Sequence, residues 1–220
     1  MATERITAKR AALRQRIIDA ALTAFAARGF EATTTADIAD ALQMTGPALY
    51  HYFRTKDELL FACVEHVLEQ LHAELAGAIA VDGSATERMA RMVRAQLRQE
   101  LKNGSAAPLI NAHLYGPQYL TDMLSSEQRE TLRMRQRALV QLYRDLIEEG
   151  VGRGEFMVAH TVVAAFNVLA VIQYSSVWYR PRRGWRQGDL IEAQVSAALQ
   201  LLGVPPSLPP RRAADTEGKA

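Results

Sequence analysis

The run TTTADIADALQMTGPALYHYFRTKDELL, from Thr33 to Leu60, decides the fold because helix starts and stops alternate within it. Thr35 is placed to cap a brief helix over 36–42, whose Ile38, Ala39 and Leu42 share one side. Gln43-Met44 then turns the chain. Thr45 is placed to cap a second brief helix with Gly46 and Pro47 in its first turn, where a missing amide hydrogen costs little. Leu49, Tyr50 and Phe53 give that helix its own apolar face. Thr55-Lys56-Asp57-Glu58 has the spacing of a capping box and opens a long helix. Two short helices joined by a tight turn and braced by a preceding helix make a helix-turn-helix. The Gly-Pro start leaves its second helix with a slim leading end, suited to a major groove.

Outward from this run the pattern stays helical, and strand-like alternation persists nowhere. Upstream, Leu13, Ile17, Ala20, Ala21, Ala24 and Phe25 recur at three and four, and Gly29 stops that helix. Downstream, Leu59, Leu60, Cys63, Val67, Leu71 and Leu75 mark a long helix to about Val81. A second capping box, Ser84 to Glu87, opens a helix carrying Met89, Met92, Val93, Leu97 and Leu101 and ending at Asn103-Gly104. A shorter piece follows over 106–115, then an Arg-rich helix over 126–149, the turn GVGRGEF, an uncharged helix, the break RPRRGWRQG and a last helix over 189–202. The expected class is all-α, with a helix-turn-helix domain over 1–55, a helical domain over 56–203 and a disordered Pro-rich, polar tail over 204–220.

Composition fits a soluble globular chain: 220 residues, 49% hydrophobic and 23% charged, with net charge +2, enough for a sizeable core. One cysteine, Cys63, excludes an internal disulfide framework and suits a reducing cytosol. The opening MATERITAKRAALRQR lacks the apolar stretch of a secretion signal, so a cytoplasmic location is expected. Phe156 to Tyr179 carries no charge, long enough for a membrane span, but His160, Thr161, Asn167, Gln173, Ser175 and Ser176 interrupt it. A helix buried on most sides is the preferred reading. A homodimer would supply its partners, this helix and the one over 189–202 pairing with their copies, with Ala165 and Val195 in the interface.

At the opening run, extended back through IIDAALTAFAARGF, the sequence resembles the DNA-binding signature of the tetracycline-repressor (TetR) family of bacterial transcription regulators. The resemblance implies operator DNA as partner, a dimer, and a helical second domain that binds an effector. Thr34 and Thr35 offer hydroxyls and amides at a helix start, Tyr50 a phenol and Lys56 a charge at another helix start. By resemblance these grip the phosphate backbone, while Thr45, Gly46, Pro47, Ala48 and His51 lie nearest the bases. Since Gly, Pro and Ala carry no hydrogen-bonding side chain, direct readout falls to Thr45, His51, backbone groups and apolar contact with thymine methyls, supplemented by DNA shape or the N-terminal arm. Through Lys56, eight basic residues against five acidic ones leave this part at +3, more basic than the whole chain.

Enzyme chemistry finds little support. Glu69 and His72 have the Glu-x-x-His spacing of helical di-iron sites, yet neither His113 nor His160 follows a Glu by three to supply the second copy. GVGRGE has no preceding strand and no phosphate-binding lysine, and Cys63 has only His66 as an activating neighbour. No catalytic residues, cofactor or resident metal are therefore expected. A helical binding or metal-dependent protein without DNA is the competing reading.

The second domain is expected to bind a small hydrophobic effector among Met89, Met92, Val93, Leu97, Leu109, His113, Tyr115, Tyr119, Met123, Tyr143, Phe166 and Asn167. In SVWYRPRRGW, Trp178, Tyr179 and Pro181 resemble the helix ending of family members that answer to acyl-CoA thioesters, although here Arg182 and Arg183 precede Gly184. Trp178 joins the candidate set on that ground. Arg129, Arg133 and Arg137 on one helix and Arg91, Arg94 and Arg98 on another either fork onto CoA phosphates or form solvated faces.

Overall fold

Short polar side chains set where the helices begin. Thr34, one residue earlier than the sequence suggests, caps the first short helix: its Oγ1 accepts from Asp37 N–H at 3.1 Å and Asp37 Oδ2 accepts from Thr34 N–H at 2.8 Å. Asp at the third helical position completes the box, so the cap falls at Thr34 and frees the Thr35 hydroxyl. Thr55 caps the long helix through Glu58 N–H at 3.0 Å, while the Glu58 carboxylate reaches past it to Arg54 N–H at 2.8 Å. Ser84 with Glu87 and Ser125 with Gln128 form reciprocal boxes. Thr45 stands at its cap position without a side-chain bond.

The structure, a computed structural model, describes residues 2–102, 124–180 and 186–205. Among these there are helices and no strands: α1 (Ala2–Arg28), α2 (Thr35–Ala41), α3 (Gly46–Tyr50), α4 (Lys56–Ala80), α5 (Ala85–Lys102), α6 (Ser126–Gly152), α7 (Thr161–Trp178) and α8 (Gln187–Leu201). The all-α expectation holds. The short piece over 106–115, which holds Leu109, His113 and Tyr115, lies outside the described residues, as do Tyr119, Met123 and 206–220. Val204, placed in the tail by the sequence, is tied to the fold by its N–H to Leu199 O at 3.0 Å.

Ile17, Ile18, Ala21 and Phe25 of α1 are buried with Ile38 of α2, Leu49 of α3, Phe53 and Leu59, so the short helices have a core that fixes their angle. Phe25 and Phe30 meet edge to face at 5.3 Å. From there α4 continues into contact with α5 and α6, and α7 and α8 pack on α5 and on each other. The apolar faces of α5 and α6 meet in the interior through Met89, Met92, Val93, Leu97, Leu139, Leu146 and Ile147.

α7 departs from expectation. One face, with Ala164, Ala165, Val168, Leu169 and Ile172, is buried; the other exposes Val162, Val163, Phe166, Tyr174, Val177 and Trp178. It is thus buried on one side, not most, because hydrophobicity all round says nothing about how many sides one chain covers. Ala165 and Val195 face the protomer's own core, at 0% and 3% exposure, and so are not the surface that a second copy would meet.

Candidate functional site

Thr34 and Thr35 lie at the start of α2, Thr45 to Ala48 at the start of α3, Tyr50 and His51 at its end, and Lys56 at the start of α4. A hydrogen bond of 3.0 Å between the Thr35 and Tyr50 hydroxyls links the first and third of these groups. Buried Leu49 anchors α3, while Thr45, Pro47, Tyr50 and His51 are exposed. Because Thr45 makes no capping bond, its hydroxyl remains open at the leading end of α3. His51 lies edge to face with Tyr52 at 5.9 Å.

The Lys56 ammonium sits 4.1 Å from the Phe30 ring centre and 3.4 Å from the Glu31 carbonyl. The seat combines cation–π attraction with a weak hydrogen bond and holds the charge near the start of α4. Nothing in the sequence marks Phe30 for this role, since an apolar residue after Gly29 has no signature of a cation seat. Gln43 was read as an ordinary turn residue, yet its φ of 54° puts it in the left-handed region between α2 and α3. Arg28 pairs with Asp37 at 3.3 Å, both part-exposed. The Asp37 carboxyl is held below its ordinary value, chiefly by the Thr34 backbone N–H, then by the Thr34 hydroxyl and Arg28.

The second residue set divides. Met89, Met92, Val93, Leu97 and Tyr143 come together in the α5–α6 interior, all essentially inaccessible. Phe166, Asn167 and Trp178 stand on the exposed side of α7 and do not join them within one chain. Gln96, which the sequence reading passed over, accepts from the Tyr143 hydroxyl at 2.6 Å inside that wall. Its position on the apolar face of α5 was the signal available.

The arginine faces are mixed: Arg133 and Arg137 are solvated, 58% and 75% exposed, while Arg91 and Arg94 are engaged within the fold. Arg94 donates twice to the Glu192 carboxylate, at 2.7 Å each, and Arg91 reaches the carbonyls of Ala78, Val81 and Asp82. Arg133 and Arg137 both lie beside Glu130, at 3.6 and 3.7 Å. Glu69 of the Glu-x-x-His spacing is engaged by Arg135. No cluster of three or more metal-ligating side chains occurs among the described residues. Burial, more than the nearby Asp19 charge, pushes the Cys63 thiol far up, which suits packing and not nucleophilic attack.

Comparison with known proteins places this geometry in a family. Residues 17–63 match the bacterial regulatory proteins of the tetR family, and 82–202 match the tetracyclin repressor-like C-terminal domain. The HTH-type transcriptional repressor KstR2 of Rhodococcus jostii is 28% identical over 181 residues, covering 80% of this chain and 83% of that protein. A tetR-family regulatory protein from Rhodococcus RHA1 superposes with a TM-score of 0.75 at 26% identity, over 87% of this chain and 97% of the other. AibR, solved with isovaleryl coenzyme A and operator DNA, shares the fold with a TM-score of 0.70 at 20% identity, over 84% and 96%. The second match alone spans more than half the chain and contains α7, the one described helix long and apolar enough to cross a membrane. With its helix-turn-helix and its helical second half both matched, the chain belongs to the TetR family of bacterial regulatory proteins, DNA-binding regulators and not enzymes.

Proposed function

We propose that this regulator represses transcription in the cytoplasm as a homodimer on a two-fold operator and leaves it when a small hydrophobic effector binds. The observation that carries the reading is the apolar stripe of α7, Val163, Phe166, Ala170, Tyr174 and Val177, exposed on a protomer whose α3 has only five residues. So short a helix reads few bases, and a second copy joined through that stripe doubles the sequence read. In this reading residues 1–55 engage DNA and 56–203 bind effector and partner. Thr34, Thr35, Tyr50 and Lys56 hold phosphates; Thr45, Gly46, Pro47, Ala48 and His51 meet base edges.

An acyl-CoA thioester is the leading effector class. Supporting it are the SVWYRPRRGW resemblance, similarity to the repressor KstR2, and a shared fold with AibR, which was solved with isovaleryl coenzyme A. A neutral hydrophobic or aromatic effector is the second reading, favoured by the engagement of Arg94 with Glu192 and of Arg133 and Arg137 with Glu130. Selection of duplexes from a randomised pool, followed by anisotropy titration with isovaleryl-CoA present or absent, tests both parts. Enrichment of a palindrome whose binding weakens with the thioester supports the proposal. An asymmetric single half-site contradicts the dimer, and indifference to every acyl-CoA tried contradicts the effector class.

A further inference from the structure

A hydrogen bond through a histidine ties the DNA-reading helices to the flank of α4. Gln15 of α1 and His66 of α4, 51 residues apart in sequence, meet with Gln15 Nε2 2.8 Å from His66 Nε2. The same Gln15 nitrogen donates to Asp19 Oδ1 at 2.9 Å. A carboxylate only accepts, so Asp19 fixes which end of the carboxamide carries the N–H groups. The histidine atom facing that end must therefore offer a lone pair, which requires the neutral ring with its proton on Nδ1. An imidazolium has a proton on both nitrogens and would set N–H against N–H. Turning the carboxamide over costs the second bond, because Gln15 Oε1 would then face the Asp19 oxygen. Charges on several helices surround this seam. Arg14 and Asp19 of α1 act on Cys63, one turn before His66, while Glu65 and Glu69 neighbour His66 on α4 and are engaged by Arg135 of α6. Arg88 and Arg91 of α5 meet α4 at its far end, at Ile79 and Ala78. Among these residue types histidine is the one that changes charge between about pH 5 and 8.

We propose that the Gln15–His66 bond is a pH-sensitive latch that sets α1, and with it α2 and α3, on α4, and that protonation of His66 opens it and weakens operator recognition. The proposal rests on the two-fold operator reading above and adds its regulation. A two-fold site is bound by the fraction of molecules whose α3 helices have the right spacing, and losing a tie between α1 and α4 lowers that fraction. Random DNA makes no such demand, and one more positive charge on the protein favours it. The latch is therefore read in the ratio of specific to random binding, which falls as pH falls.

Two measurements on the full-length protein test it. Nitrogen NMR of the histidine side chains at about pH 8, with His66 assigned through His66→Gln, should show a proton on Nδ1 and none on Nε2. Gln15→Leu should release that tautomer. A protonated Nε2 at His66 in the wild type would overturn the latch whatever happens on DNA. Anisotropy titration on the selected palindrome and on a scrambled duplex should give a specific-to-random ratio that falls about 2- to 10-fold from about pH 8 to about pH 5.5. His66→Gln puts an amide oxygen where Nε2 stands, an acceptor at every pH, so its ratio should hold. His51 titrates in both proteins, and the comparison between them cancels it. Melting curves confirm that both variants fold. A steady or rising ratio in the wild type, or an equal fall in His66→Gln, would overturn the proposal. No preference for the palindrome at about pH 8 would instead sink the operator reading, and the regulatory role of the latch with it.

Discussion

Lys56 is held in place before DNA arrives, its ammonium over Phe30 and beside the Glu31 carbonyl. If it then meets a phosphate, Lys56→Ala weakens binding to specific and random duplexes alike and lowers the salt slope by about one. His51→Ala should instead relax sequence choice, and equal losses on both duplexes for both variants would defeat the assignment. Gln43, at φ 54°, occupies backbone space that costs an L-residue about 1–2 kcal/mol. Gln43→Gly relieves this but loses more chain entropy on folding, so the net gain should be at most about 1 kcal/mol, read as a melting midpoint higher by about 2–4 °C. An unchanged or lowered midpoint would mean that the Gln43 side chain is needed in the turn. At Asp37 the folded carboxyl titrates below its unfolded value, so the capping contribution is full above the unfolded value and is lost as pH falls through the lowered one. Amide exchange at Ile38 and Ala39 should accelerate across that window, and Asp37→Asn should remove the step. The helix start near Thr34 was legible from the residue types. The left-handed Gln43 was not, because nothing but a glycine or asparagine announces such a backbone in advance.

α4, about 37 Å long, runs from the DNA-reading end to the helical interior and is tethered along its way. Gln15 of α1 meets His66 at 2.8 Å, Arg135 of α6 meets Glu65 and Glu69, and Arg88 and Arg91 of α5 donate to the carbonyls that end the helix. Arg88 also pairs with Glu149 of α6 at 2.6 Å, so one side chain joins three helices. α4 lacks a glycine cap, and these guanidinium groups satisfy its last carbonyls instead. Arg91→Ala should therefore fray the end of α4, costing about 1 kcal/mol in denaturant unfolding, with amide exchange accelerated near Ala80. Intact protection there would show that the clamp is incidental. The start of α5 is held by Glu155, which accepts from Ala85 and Thr86 N–H at 3.1 and 2.9 Å. Gly150 marks another close approach, since a Cβ there would lie 2.2 Å from the Phe156 ring. Gly150→Ala should cost about 1–3 kcal/mol. Helix positions and caps were legible because they depend on neighbours in sequence. The arginine clamp was not, since periodicity reports which face is polar and not which carbonyl it meets.

For the whole molecule, the sequence separated an uncharged helix from its amphipathic neighbours but left the buried side undetermined. Its two faces have similar hydropathy, and only packing shows that Ala165 points inward and Phe166 outward. Phe166→Arg is accordingly the substitution that should yield monomers in sedimentation, whereas an unaltered dimer would move the interface elsewhere. Monomers should lose operator affinity while keeping weak, salt-sensitive binding to random DNA. In the proposed switch the effector must prefer a conformation with the wrong spacing of recognition helices, and α4 is the helix that would carry that change. If isovaleryl-CoA weakens operator binding by about 5- to 150-fold, operator DNA must weaken isovaleryl-CoA binding by the same factor. The central claim, a dimer that reads a two-fold site through α3, is tested most directly by anisotropy titration of purified protein on a selected palindrome and on a scrambled duplex. The account predicts two protomers per palindrome and at least about a thousandfold preference over the scrambled sequence. Equal affinity for the two duplexes would contradict it.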